Sequence, residues 1–203
     1  VVFPAAGYVE LMLAAGQEVL DEFPWEIEDI AFHDALVLSG PEYAQLQTSV
    51  DSKRGAVEVT SRLRGRNSNW DLRASARIRS WSGPTASLKP WQPKVEPPVH
   101  FERERFYRQL RQEGHDFGPA FQGVNLVWRE RGQVLGFVKL PEEAKSPAGY
   151  LFHPALLDAC FQVIRGFTDI DGMDSAAAST IALPISIGRR RLYRLCRRAE
   201  IGH

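Results

Sequence analysis

Apolar and polar residues alternate along VEVTSRL (57–63) and LRASARI (72–78), the period of a sheet with one buried and one wet face. The same pattern predicts strands over Glu26–Leu38, Tyr43–Asp51, Ala56–Leu63 and Asp71–Trp81. Gly40-Pro41 and Asp51–Gly55 carry turn chemistry. Ahead of these strands, residues 4 to about 20 form an almost wholly apolar run that includes Leu11, Met12, Ala14 and Ala15. An all-round apolar helix is a buried one, and Pro4 suits its first position.

The second half repeats this plan. Phe101–Glu113 reads as a charged helix with an apolar stripe of Phe101, Phe106, Tyr107 and Leu110. The loop GHDFGPAFQG (114–123) follows, then strands over Val124–Arg129 and Gln133–Leu140 around a turn at Arg131-Gly132. A second apolar helix runs from Pro154 to about Arg165. Asp169–Ser179 is loop-like, and Ile181–Tyr193 reads as one or two strands. Between the halves, Ser82–Val99 holds five of the 13 prolines and cannot pair in a sheet interior. The predicted organisation is an N-terminal unit over 1–81, a semi-rigid linker over 82–100 and a C-terminal unit over 101–203. FPAAGYVELMLAAG and HPALLDACFQVIRG echo one another, each placing Pro-Ala ahead of an apolar helix. Helices segregated against antiparallel sheets make an α+β fold.

Composition narrows the function. The 203 residues carry 25 Lys and Arg against 25 Asp and Glu, a balance that argues against a general nucleic-acid or anionic-membrane binder. RGRNSNW and RRRLYRLCRR are basic with aromatics nearby, and a basic edge of this kind suits an acidic protein partner better than a nucleic acid. No run approaches the ~18 apolar residues of a membrane span, and no signal peptide opens the chain. The two cysteines, Cys160 and Cys196, make neither a metal-ligand pattern nor a disulfide framework. Cys160 is expected to be buried and inert. A cytoplasmic location is expected. GPAFQG lacks the ending of a phosphate loop.

One carboxylate stands out. Asp158 lies in the middle of an apolar helix, among Leu156, Leu157, Cys160, Phe161, Val163 and Ile164. Gln162 follows four residues later, on the same helix face and within reach of the Asp158 carboxyl. An apolar setting disfavours the charged form and raises the pKa. A carboxyl that keeps its proton near neutral pH can act as a general acid. The competing reading is an ordinary helix residue at a wet seam.

These residues also carry a resemblance. HPALLDACFQ (153–162) resembles the second active-site motif, HPALLDAxxQ or HPALLDAxxH, of the dehydratase domains of polyketide synthases and animal-type fatty acid synthases. GHDFGPAFQG resembles their GYxYGPxFQG loop, and IALPISIGRRRLY (181–193) their LPFxWxxxRLY segment. FPAAGYVELMLAAG is similar to the helix behind their first active-site motif. The four motifs stand in family order along nearly the whole chain, and the finer likeness is to actinobacterial multifunctional synthases. The resemblance implies a double hot-dog fold. It implies elimination of water from a 3-hydroxyacyl thioester, carried on the phosphopantetheine of an acyl carrier protein, to give a 2-enoyl thioester. Asp158 would be the acid and Gln162 its neighbour. Phe117, Gly118, Pro119, Phe121, Leu183 and Pro184 would line the substrate. No metal or redox cofactor is implied. The implied partners are the acyl carrier protein and other domains of the same polypeptide, in a parent that is a homodimer.

The departures from the family shape the expectation. The family's catalytic histidine precedes the motif proline, here Pro4, and would fall before Val1. His33, His100, His115, His153 and His203 do not replace it, and His153 reads as a capping residue. Phe117 stands where tyrosine is usual, and Ile187 where tryptophan is common. The strands expected after the LPISIG segment are missing, and both ends read as cut from something longer. The polypeptide taken alone is therefore expected to dehydrate slowly or not at all. Three alternatives remain: a non-catalytic dehydratase-like module that shapes or dimerises a synthase, a double-bond isomerase, and a domain guiding cyclisation. A free-standing hot-dog thioesterase fits the linker and four ordered motifs less well.

Overall fold

The computed structural model describes residues 1–20, 25–40, 42–63, 69–83, 99–130, 133–145, 149–167 and 184–192. The chain divides into two compact units. The first gathers the described residues of Val1–Ala86, Tyr150–Phe152 and Leu183–His203, and the second those of Ser87–Gly149 and His153–Ala182.

In the first unit, helix α1 (Ala5–Gln17) lies on an antiparallel sheet of order β2-β3-β4-β1-β8. Its strands are β1 (Trp25–Phe32), β2 (Ala44–Asp51), β3 (Ala56–Leu63), β4 (Asp71–Ser80) and β8 (Ser186–Leu192). Pro4 is the N-cap of α1 rather than its first helical residue. Ala6, Tyr8, Val9, Met12 and Leu13 are buried, as an apolar helix between sheet and surroundings must be. β3 and β4 bury alternate residues, Val57, Val59, Ala74, Ala76 and Ile78. The turn between β2 and β3 is held by the Asp51 carboxylate, which accepts the backbone N–H of Lys53 at 3.0 Å and of Arg54 at 3.2 Å, the side-chain device that makes Asp a turn residue.

Some sequence-based boundaries change. β1 stops at Phe32 instead of running to Leu38. Residues 36–38 turn instead to the chain start: Phe3 N–H donates to Leu36 O at 2.9 Å and Leu38 N–H to Val1 O at 2.8 Å. β1 also carries a bulge between Glu28 and Ala31 against β4, with Asp29 at φ 53°. Asp is among the few side chains that tolerate this left-handed conformation. The larger correction concerns β8. The C-terminal unit was expected to take everything from 101 to 203, yet β8 pairs antiparallel with β1, from Trp25 opposite Leu192 to Ala31 opposite Ser186. Strand pairing satisfies backbone N–H and C=O groups wherever an edge is available, irrespective of distance along the chain. Ile187 is buried in this register.

In the second unit, strands β5 (Val99–Glu102), β6 (Val124–Glu130) and β7 (Gln133–Val138) form an antiparallel sheet in that order. The linker therefore ends before Val99. Residues 84–98 of the expected linker lie outside the described residues. Helix α2 spans Arg103–Gln112, so Phe101 belongs to a strand and not to the helix. All four residues of the expected stripe are nonetheless buried: Phe101, Phe106, Tyr107 and Leu110 pack with Val124, Val127 and Ala159. Helix α3 (Pro154–Val163) lies on β6 and β7. Small residues allow this approach. A Cβ on Gly136 would collide with the Val163 side chain, and one on Gly123 would lie 2.9 Å from the Ala159 Cβ. Both units are hot dogs, a helix laid on an antiparallel sheet, in an α+β fold.

Candidate active site

The site is built on α3. His153 caps it: its Nδ1 accepts the Ala155 N–H at 3.1 Å, while Nε2 faces the Ala144 carbonyl at 2.9 Å. An acceptor at Nδ1 and a donor at Nε2 define one neutral tautomer. Pro154 then occupies the first helical turn, where its missing N–H costs nothing. This local chemistry sets where the helix starts, and hence which face Asp158 and Gln162 share.

Asp158 is half-buried. Burial raises its carboxyl pKa above the ordinary value of 3.8, and the hydrogen bond from Gln162 opposes that rise. Gln162 is only 5% exposed. Its Nε2 donates to Asp158 Oδ2 at 2.7 Å and to the Phe121 carbonyl at 2.9 Å. Its Oε1 accepts the Tyr107 hydroxyl at 2.8 Å. The Tyr107 oxygen in turn accepts the Val124 N–H at 2.9 Å. Every polar atom of the buried Gln162 side chain is thus satisfied, as a buried amide requires. Burial pushes the Tyr107 hydroxyl pKa far up, so it stays a donor.

The loop from Gly114 to Gly123 is shaped by backbone needs. Gly114, at φ 88°, ends α2: the His115 N–H reaches Leu110 O at 2.8 Å and the Gly114 N–H reaches Arg111 O at 3.1 Å. This is a Schellman cap, which calls for glycine. Gly118 and Pro119 are exposed at the start of a 3-10 turn, Pro119–Phe121. Gln122 Nε2 holds the loop by donating to Phe117 O at 2.8 Å.

Of the residues expected in the site, Asp158, Gln162 and Phe121 come together, Phe121 through its carbonyl rather than its ring. Phe117 is half-buried. Its ring meets Tyr107 edge-on at 6.3 Å and stacks on His115 at 6.2 Å. Pro184 is exposed in the first unit, ahead of β8. Leu183 lies outside the described residues. His115 is half-buried, and its Nε2 sits 2.7 Å from Arg165 Nη2. Burial and the Arg165 charge lower its pKa. Cys160, expected to be buried, is exposed, because α3 turns Ala155, Ala159 and Gln162 inward instead. Protein atoms around it still raise the thiol pKa.

Two polar residues were not singled out from the sequence. Tyr107 was read only as part of an apolar stripe, although a buried tyrosine hydroxyl requires a partner. Glu10, on α1, is 7% exposed. Its carboxylate accepts the Leu151 and Phe152 N–H groups, each at 2.8 Å. Those residues immediately precede the cap of α3.

Residues 83–203 match the family described as polyketide synthase dehydratase N-terminal domain, and residues 1–62 the one described as polyketide synthase dehydratase domain. The chain is 35% identical over 168 residues to mycoketide-CoA synthase of Mycobacterium tuberculosis, covering 80% of this chain and 4% of that protein. It is 31% identical over 195 residues to polyketide synthase GfsB of Streptomyces halstedii, covering 92% of this chain and 3% of that protein. It therefore spans only a small part of these multidomain relatives. Among solved structures it superposes on an inactive aspartate-to-asparagine mutant of the CurK dehydratase with a TM-score of 0.78 at 28% identity, over 96% of this chain and 70% of that one. The dehydratase domain from the CurF module of curacin polyketide synthase gives a TM-score of 0.73 at 27% identity, again over 96% and 70%. With one family match extending over more than half of its length, the chain belongs to the dehydratase domains of polyketide synthases.

Proposed function

We propose that this chain supplies the acid half of a dehydration: Asp158 protonates the departing hydroxyl of a 3-hydroxyacyl thioester presented on the phosphopantetheine arm of an acyl carrier protein. A base removes the C2 proton, the C2 electrons form the new double bond, and the C3–O bond breaks. The Asp158 proton joins the leaving oxygen as water, and a 2-enoyl thioester remains. The observation that carries this reading is the Asp158 carboxyl, half-buried on an apolar helix with its pKa raised by burial and one oxygen tied by Gln162. A carboxyl so placed is suited to hold a proton and give it up. In the CurK and CurJ dehydratases, aspartate-to-asparagine or histidine-to-phenylalanine mutants are described as inactive. That requirement supports an acid–base pair, with a histidine as the base. Phe117, Gly118, Pro119 and Phe121, on the loop ahead of β6, are proposed as substrate-lining residues. Acid–base elimination needs no redox or metal cofactor of its own.

The test is conversion of a 3-hydroxyacyl thioester by the protein carrying this chain, with the enoyl product followed by its absorbance and by loss of water in mass spectra. Turnover that disappears in Asp158→Asn supports the reading. Turnover unaffected by that substitution would overturn it. A product of unchanged mass with a moved double bond would establish the isomerase alternative, and a ring-closed product the cyclisation alternative. Absence of any conversion in the parent synthase would leave the non-catalytic module.

A further inference from the structure

Gln162 has one acceptor oxygen and two donor hydrogens, and the structure uses all three. Turned end for end, the same amide would set its oxygen against the Phe121 carbonyl and the Asp158 carboxylate, two acceptors facing a third. The Phe121 carbonyl, which can only accept, opposes that turn from one side, and Tyr107 opposes it from the other. Its oxygen accepts the Val124 N–H at 2.9 Å, so its single hydrogen is left to point onward. Gln162 Oε1, at 2.8 Å, is the near acceptor, and the Phe121 carbonyl, at 3.4 Å, the distant one. A donor aimed at Gln162 requires oxygen there and places nitrogen on the Asp158 side.

We propose that Tyr107 is a positioning residue for the acid: the directed chain from Val124 N–H through the Tyr107 hydroxyl to the Gln162 amide presents a donor to Asp158 Oδ2 and leaves Oδ1 as the oxygen that carries the transferable proton. Tyr107 reaches the carboxyl by hydrogen bonds through Gln162, since its hydroxyl bonds Gln162 and Val124. This deepens the reading of Asp158 as the acid and rests on it for the fate of the proton. The chain of hydrogen bonds stands on its own geometry. Besides the Asp158 carboxylate, the hydroxyl feels the charge of Arg103, one turn before Tyr107 on α2. Arg103 is unchanged in the variants below.

The experiment is a titration of the Asp158 carboxyl by NMR in aspartate-labelled protein, assigned with Asp158→Asn. In Tyr107→Phe, Gln162 keeps the Phe121 carbonyl but loses its anchor at Oε1, so the donor to the carboxylate weakens and the Asp158 midpoint moves up. Gln162→Leu moves it up as well, and the double variant moves it no further than Gln162→Leu alone. A Tyr107→Phe protein that folds and titrates like the wild type would overturn the proposal, reducing Tyr107 to packing. Should Tyr107→Phe not fold, 3-fluorotyrosine at position 107 keeps the shape and makes the hydroxyl a stronger donor. The midpoint then moves down if the chain operates, and stays put if it does not. An expected shift together with full turnover in Asp158→Asn would sink the dehydratase reading and keep the chain. An unmoved midpoint with turnover lost in Asp158→Asn would do the reverse.

Discussion

Gln162 Nε2 stands 2.7 Å from Asp158 Oδ2, one helical turn along α3, and the two side chains differ sharply in setting. Gln162 is buried and fully bonded, whereas Asp158 is half-buried with one oxygen held. The pair thus joins a fully bonded side chain to one with an oxygen left open. For the proposed reaction this support matters, because misplacement of a catalytic group is costly.

Asp158→Asn is expected to reduce turnover of a 3-hydroxyacyl thioester by roughly 10²–10⁴-fold, the range for loss of a general acid. The same substitution is expected to stabilise the fold near neutral pH. The folded state holds the Asp158 proton more tightly than the unfolded chain, because burial raises its pKa. Stability contributed by this group is therefore fully present below the ordinary carboxyl pKa and is lost as pH rises through the raised folded value. Denaturation curves at several pH values should show a decline over that window in the wild type, and a flatter profile in Asp158→Asn.

Gln162→Leu removes the acceptor of the Tyr107 hydroxyl and the donor of the Phe121 carbonyl together. An unsatisfied buried polar group costs about 1–3 kcal/mol. A stability loss of that size by urea denaturation is expected, larger than the effect of an apolar exchange of similar volume. A loss of only a few tenths would indicate that water replaces both bonds.

Glu10→Ala strands the Leu151 and Phe152 N–H groups. Removal of a charged acceptor from buried N–H groups is expected to cost about 2–4 kcal/mol. Hydrogen exchange at residues 151 and 152 should accelerate before exchange in β3 and β4 does. Glu10→Gln, which retains one accepting oxygen, is expected to fall between the two.

Gly136→Ala places a methyl into Val163 where α3 crosses β7. Overpacking of this kind costs about 1–3 kcal/mol. The melting temperature should drop, and pairing with Val163→Ala should recover much of the loss. Failure of the second substitution to help would mean that the loss does not arise from the Val163 contact.

Cys160 is exposed with a raised thiol pKa. A thiol reagent should therefore modify it in the folded protein, slowly at neutral pH and faster as pH rises, since the thiolate is the nucleophile. Protection until the protein is unfolded would contradict its exposure.

Much of this protein is determined by its sequence because the relevant physics is local. The alternation of β3 and β4, the apolar character of α1 and α3, and the one-turn spacing of Asp158 and Gln162 follow from backbone periods that neighbouring residues settle among themselves. The histidine cap and the proline behind it are equally local, and the motif resemblance rests on the same short stretches. What only the tertiary structure decided is who meets whom. β8 joins the sheet of β1 although more than half the chain separates them. Glu10 finds its donors 141 and 142 residues away. Tyr107 changes from an apolar stripe residue into the hydrogen-bond partner of the buried Gln162. Cys160 lies outside while Gln162 lies inside, on the same helix. A buried polar group must have a partner, so its type announces the need, but the partner's identity emerges only when distant segments pack.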